Sequence, residues 1–228
     1  MKEPSHSNKL RRPKLTRDRI LEVTMGLAMK EGLEAVSMRK VAALLDVEAM
    51  SLYKYVENKD DLFDGLIEKI IEKITLPAEE ADWRQALRAR ALSEYKVLSE
   101  HSWIVHLLEA RSGTGHVRLS HQNHMIGILR RSGFPIELAF QTMVIVAGYV
   151  YGFVVFATAW SPKSKERAKT TKKAAQEIKV ETYPYVLEAI SFAQSRPQTT
   201  EHRSEFEFGL DLIIDGIERS LNRSRTEK

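Results

Sequence analysis

The side chains best suited to chemistry lie close together, between Ser37 and Lys59, in the run SMRKVAALLDVEAMSLYKYVENK. Within it, Ala49–Val56 reads as a short helix with Leu52 and Val56 on its inner face. That leaves Met50, Ser51, Lys54 and Tyr55 directed elsewhere. Hydroxyls and ammonium groups suit phosphate oxygens, and a methionine suits a thymine methyl, so this outward set fits the surface of a DNA duplex. The preceding residues, Arg39–Leu45, place Val41, Leu44 and Leu45 on one face of another short helix. Two short helices with a tight connection, the second offering polar and aromatic groups, make a helix-turn-helix.

Other chemistries find less support. The 228 residues include no cysteine, which excludes disulfides, thiol nucleophiles and cysteine-rich zinc sites. No phosphate-cradling glycine loop, nucleophile elbow or spaced carboxylate pair occurs, so no enzyme is expected. His121 and His124 lie one helical turn apart but lack a third ligand at a diagnostic spacing, and neither a metal nor a cofactor is expected. Arg90, Glu94, Trp103, His106, His121, His124, Met125 and Met143 are polar or soft groups on otherwise apolar helices. They are candidates for lining a small-molecule pocket, with ordinary surface or core duty as the alternative for each. The net charge of +4 and pI near 9.2 suit a polyanionic partner.

Beyond this run, the chain reads as all-α. Lys2, Lys9, Arg11, Arg12, Lys14 and Arg17 stand against a single acid, Glu3, which gives a flexible basic arm over residues 1–15. The N-terminus lacks the apolar region of a signal peptide. Thr16 caps a first helix ended by Gly32, and Ser37 caps the next. Ile20, Leu27, Leu33, Val36, Val41, Leu44, Leu52 and Val56 are expected to share one three-helix core over residues 16–59. A fourth helix opens at Asn58–Asp61 and carries Leu62, Phe63, Leu66, Ile67, Ile70 and Ile74. It begins a larger helical part, 60–228, with polar stretches at 161–182 and 195–204.

Leu138–Trp160 contains no charged residue, and its length meets the threshold for a membrane span. The alternative is a helix covered by its own domain on one face and by a partner subunit on the other. Burial is the reading adopted, because a span normally needs no Gln141–Thr142 pair and this one would stand alone.

The run SMRKVAALLDVEAMSLYKYVENKDDLFDGL resembles the DNA-binding domain of the TetR family of bacterial transcriptional regulators, over Thr16 to about Ile74. Its most specific part is Ser51–Leu52–Tyr53–Lys54–Tyr55–Val56, followed by Asn58–Lys59 and Leu62. GFPIELAF, the uncharged helix and FEFGLDLIIDGIERSL are similar to the regulatory domain of the tetracycline-repressor branch. The resemblance implies that Met38 and Arg39 reach the groove, that Ala49, Met50, Ser51, Lys54 and Tyr55 face bases or backbone, and that Tyr53 and Lys59 hold phosphates. It also implies a four-helix dimer interface, here Val146, Val150, Phe153, Phe206, Leu210, Ile213, Ile214 and Ile217. Asp46 departs from the pattern, which places glycine in the turn.

On that resemblance the chain is a cytoplasmic homodimeric repressor without a membrane partner. The resemblance implies that it binds palindromic double-stranded operator DNA and is released by a small-molecule effector. A membrane-tethered DNA binder, an effector-independent one and an enzyme are the competing readings.

Overall fold

The computed structural model describes residues 14–111, 115–160, 182–195 and 204–226. Residues 1–13 of the basic arm and most of the two polar stretches lie outside the described residues. Among those described, every regular element is helical. They gather into two compact units, the first running to Glu72 and including His106–Arg118, the second comprising Lys73–Val105 and the chain from Leu119.

The first unit begins with α1, Arg17–Glu31, capped by the Thr16 hydroxyl, which accepts from the Arg19 amide, and ended at Gly32 with φ +86°. A 3₁₀ turn, Leu33–Ala35, leads to α2, Met38–Leu44, whose Ser37 cap accepts from the Lys40 amide. The turn after α2 passes through Asp46 at φ +54°, the only non-glycine in the left-handed region among the described residues. Then come α3, Ala49–Leu52, and α4, Lys59–Ile71, capped by Asn58 with Asp60 and Asp61 in its first turn. Ile20, Val41, Leu52, Val56, Leu62 and Leu66 are buried together, each worth ~2 kcal/mol over exposure.

Two sequence expectations fail here. Leu44 is 57% exposed, because Val41, Ala42 and Leu45 set the inner face of α2 and position 44 turns off it. The division at residue 59 separates sequence patterns but not packing, since α4 packs on α1 within the first unit. The approach is close: a Cβ on Gly65 would lie 2.7 Å from Leu21 Cδ2.

In the second unit, α5 (Trp83–Glu100) is capped by Asp82, whose carboxylate accepts from the Arg84 and Gln85 amides. It packs on α8 (Ile136–Trp160) and α10 (Glu205–Thr226). Tyr95 stacks on Phe206 with centroids 4.0 Å apart, and Tyr149 and Phe153 close the same aromatic cluster. Arg84 binds Asp215 and Glu218, and Arg88 binds Glu207 and Asp211, which fixes the register of α5 on α10. The remaining helices are α6 (Ile104–Ala110), α7 (His116–Arg131) and α9 (Pro184–Ser195).

α8, uncharged after Glu137, is long and apolar enough to cross a membrane. It is nevertheless two-faced. Ala139, Thr142, Val146, Val150 and Val154 recur at helical spacing and are buried, whereas Phe140, Val144, Ile145 and Phe156 are exposed.

Candidate nucleic-acid interface

Leu52, fully buried, anchors a four-residue helix, and this single anchor turns the neighbours on α3 outward. Met50 is 72% exposed, Tyr53 47%, and Lys54 and Tyr55 also face solvent. Ala49 and Ser51 are half-buried. The helix is shorter than the sequence suggested: Tyr53–Tyr55 form a turn closed by the Tyr55 and Val56 amides donating to the Leu52 carbonyl. On the packed neighbour α2, Arg39 is exposed and Met38 half-buried. Lys59 is exposed, its ammonium 5.1 Å from the Phe63 ring centroid. Every residue expected at DNA therefore belongs to the first unit, and most of them are open.

Arg17, grouped by sequence with the basic arm, does something else. Its guanidinium grips the Asp61 carboxylate at 2.6 and 2.8 Å and donates to the Tyr55 carbonyl at 3.0 Å. Asp61 also accepts from the Glu57 amide at 2.8 Å. The Arg17 hydrogen bond holds the Asp61 carboxyl below its usual range, and Asp61 in turn raises Arg17. The pair fixes the exit of the α3 turn between α1 and α4. A first-turn acid on α4 was visible in the sequence, but its basic partner lies 44 residues away and carries no local signal.

Residues 106–118 are tied to α4 by charge. Arg111 binds Asp64 through two nitrogens at 2.6 and 2.9 Å and Asp60 through a third at 2.9 Å, which pushes its pKa further up. Glu68 accepts from the Val117 amide at 2.7 Å and the Arg118 amide at 3.4 Å, capping α7 with a negative charge. Gly115 leaves room for this cap, since a Cβ there would meet the Glu68 carboxylate.

The candidate pocket residues scatter. Arg90 and Glu94 pair at 2.8 Å and are nearly buried on α5. Trp103 and Met143 are half-buried. His106 is exposed and Met125 is fully buried. His124 lines a surface groove of about 400 Å³ with Glu79, Ser120, Asn123 and Arg131, and its Nε2 lies 2.8 Å from the Pro77 carbonyl. His121 is half-buried on the same helix, and among the described residues no three acidic or histidine side chains cluster to hold a metal.

The expected interface residues also need correction. Val146, Val150, Phe206, Leu210, Ile214 and Ile217 are buried in the chain's own core, with Phe153 and Ile213 half-buried. The apolar side chains that α8 and α10 leave open are Phe140, Val144, Ile145, Phe156, Phe208 and Leu212.

Comparison with known proteins adds an independent line. Residues 20–66 match the family described as bacterial regulatory proteins, tetR family, and residues 76–221 match the tetracyclin repressor-like C-terminal domain. The HTH-type transcriptional repressor DrrR1 of Streptomyces coeruleorubidus is 28% identical over 222 residues, covering 95% of this chain and 82% of that one. The class E tetracycline repressor of Escherichia coli is 27% identical over 217 residues, covering 93% and 95%. Among solved structures, apo ActR of Streptomyces coelicolor has a TM-score of 0.75 at 22% identity, covering 93% of this chain and 99% of its own. A point variant of TetR from Acinetobacter baumannii AYE, in complex with minocycline, has a TM-score of 0.65 at 26% identity, covering 91% and 99%.

Proposed function

From its place in the tetR family of bacterial regulatory proteins, to which this chain belongs, we propose a cytoplasmic homodimeric repressor that leaves a palindromic operator when an effector binds its second unit. That it is a DNA-binding transcriptional regulator and not an enzyme follows from the family and the named relatives. The dimer, the operator symmetry and the effector are the proposed part.

The observation that carries the reading is the open row Arg39, Met50, Tyr53, Lys54 and Tyr55, held around one buried leucine. An arginine can read guanine through two bonds, the methionine can touch a thymine methyl, and the tyrosine and lysine can reach phosphates. Phe140, Val144, Ile145, Phe156, Phe208 and Leu212 supply the apolar surface for a second copy. A two-fold dimer then presents two α3 helices about one DNA turn apart, near 34 Å. The ties of Arg111 to Asp60 and Asp64, and of the Val117 amide to Glu68, give an effector-induced shift of residues 106–118 a direct grip on α4.

The test is footprinting on the DNA flanking its own gene, followed by a screen for small molecules that release it. Protection of a palindrome, lost on adding one compound, is the expected result; protection without symmetry would remove the dimeric reading. The open face of α8 also fits a membrane-tethered regulator, which fractionation of lysed cells distinguishes by placing the protein with the membrane.

A further inference from the structure

The charge of this chain is unevenly divided. Residues 1–14 hold Lys2, Lys9, Arg11, Arg12 and Lys14 against Glu3, and their net +4 equals that of the whole protein. Everything after Lys14 is therefore neutral in sum. The DNA-reading part is worse than neutral. From Leu15 to Glu72, eight basic residues stand against twelve acids, a net −4. Residues 106–118, with Arg111 and Arg118 against Glu109, bring the body of the first unit only to −3. Apart from its arm, a unit that binds a polyanion is itself an anion.

Ion pairs thin the available cations further. Arg17 is taken by Asp61, Lys40 by Glu31 and Lys69 by Asp18. Among the residues expected at DNA, the cations are Arg39, Lys54 and Lys59, all exposed. Exposed acids are interleaved with them: Glu48 immediately precedes α3, Glu57 lies between Lys54 and Lys59, and Asp60 follows. Each cation can make its own contact, but the acids cancel their summed attraction for a duplex at a distance. Duplex DNA carries one negative charge per about 1.7 Å of axis, and much of the affinity for it comes from neutralising phosphates.

The arm joins the fold where that charge is wanted. Lys14 is exposed, Thr16 caps α1, and the next residue, Arg17, donates to the Tyr55 carbonyl at 3.0 Å. The arm therefore starts beside the end of the α3 turn. Lys9 is five residues before Lys14, a reach of roughly 17 Å, more than the ~12 Å width of the major groove. Lys9, Arg11 and Arg12 can thus meet phosphates at the edge of a groove that α3 occupies.

We propose that the basic arm, residues 1–14, is a second DNA-binding element, which grips phosphates flanking the site read by α3 and supplies the positive charge that the acidic body of the first unit lacks. Lysine and arginine bind phosphate whatever the base, so the arm adds affinity and speeds encounter while base choice stays with α2 and α3. This rests on the DNA binding of the family, not on the dimer, the operator symmetry or the effector.

The experiment measures binding of a labelled random-sequence duplex by fluorescence anisotropy over a series of salt concentrations. It compares the full chain, the chain lacking residues 1–13, and the full-length triple variant Lys9→Gln, Arg11→Gln, Arg12→Gln. Each neutralised phosphate adds ~0.9 to the slope of log affinity against log salt, so the slope should fall by about 2–3 per bound chain in both variants. Affinity at moderate salt should fall about tenfold or more, with the melting temperature unchanged; if truncation lowers it, the triple variant carries the test. Arg11→Lys with Arg12→Lys keeps the charge and should bind as the parent does. Parental slope and affinity in the triple variant would overturn the proposal, as would a loss in the lysine variant as large as in the glutamine one. Tighter binding without the arm would assign it to the body's own acids, and would overturn it too. So would unchanged DNA binding together with lost binding to phosphatidylglycerol vesicles, which would assign the arm to a membrane surface. If the full chain ignores the random duplex at low salt, the arm proposal falls and the operator reading still stands or falls by its footprint. If the arm variants behave as expected but the footprint lacks symmetry, the arm stands and the dimeric reading falls.

Discussion

Arg17 and Asp61 show how a single pair can govern the position of a reading helix without touching nucleic acid. The carboxylate is held below its usual pKa by the guanidinium, so its contribution is present above the unfolded-state carboxylate pKa and fades as pH falls through the lower folded value. With both partners partly exposed, that contribution should be about 1 kcal/mol at most. We expect Asp61→Asn to reduce the unfolding free energy near neutral pH by that amount and to leave it close to the parent in acid. Urea titrations at both pH values measure this, and a gap that widens in acid would contradict it. Arg39→Ala and Tyr53→Ala belong to the same scale. Each should weaken operator binding by ~1–3 kcal/mol in gel-shift titrations without altering the fold. The outward residues were legible because α3 has one apolar anchor, Leu52, and period 3.6 does the rest. Arg17 was not, because an ion pair across 44 residues leaves no trace in local spacing.

Among the elements, the turn after α2 and the contact of α1 with α4 are the tight points. Asp46 already stands in the left-handed region, which its position in the glycine-favouring turn anticipated. Asp46→Gly should leave stability within a few tenths of a kcal/mol, whereas Asp46→Val should cost more than ~1 kcal/mol, as a β-branched residue resists positive φ. Chemical denaturation of the two variants separates these outcomes. The tie between α4 and residues 106–118 yields a functional expectation. Arg111→Ala should bind operator normally but need several-fold more effector for release, read by fluorescence anisotropy of labelled DNA. Unchanged release would mean that the Asp60 and Asp64 contacts are only structural. Helix positions were readable from the Thr16 and Ser37 caps and from Gly32. Which side of α8 faces inward was not. A helix apolar all round has no periodic signal, and only the packing of α5 and α10 decides that Val146 is inside and Phe140 outside.

At the scale of the whole molecule, the open side chains of α8 and α10 are the strongest argument for a second copy. Leu212→Asp, on an exposed position of α10, should give monomers in sedimentation velocity, with operator affinity falling sharply as the paired readers separate. A normal dimer would place the interface elsewhere. Ile214, buried in the chain's own core, would instead unfold the subunit if charged, so the two substitutions distinguish interface from core.

The half-covered α8 has a further consequence. If the second copy supplies its missing cover, folding and association share one equilibrium, and stability obeys mass action. The melting temperature should then climb with protein concentration, by an amount that vanishes in Leu212→Asp. Dilution alone would loosen the regulator, so the number of molecules in a cell would set how much of it is folded as well as how much operator it occupies.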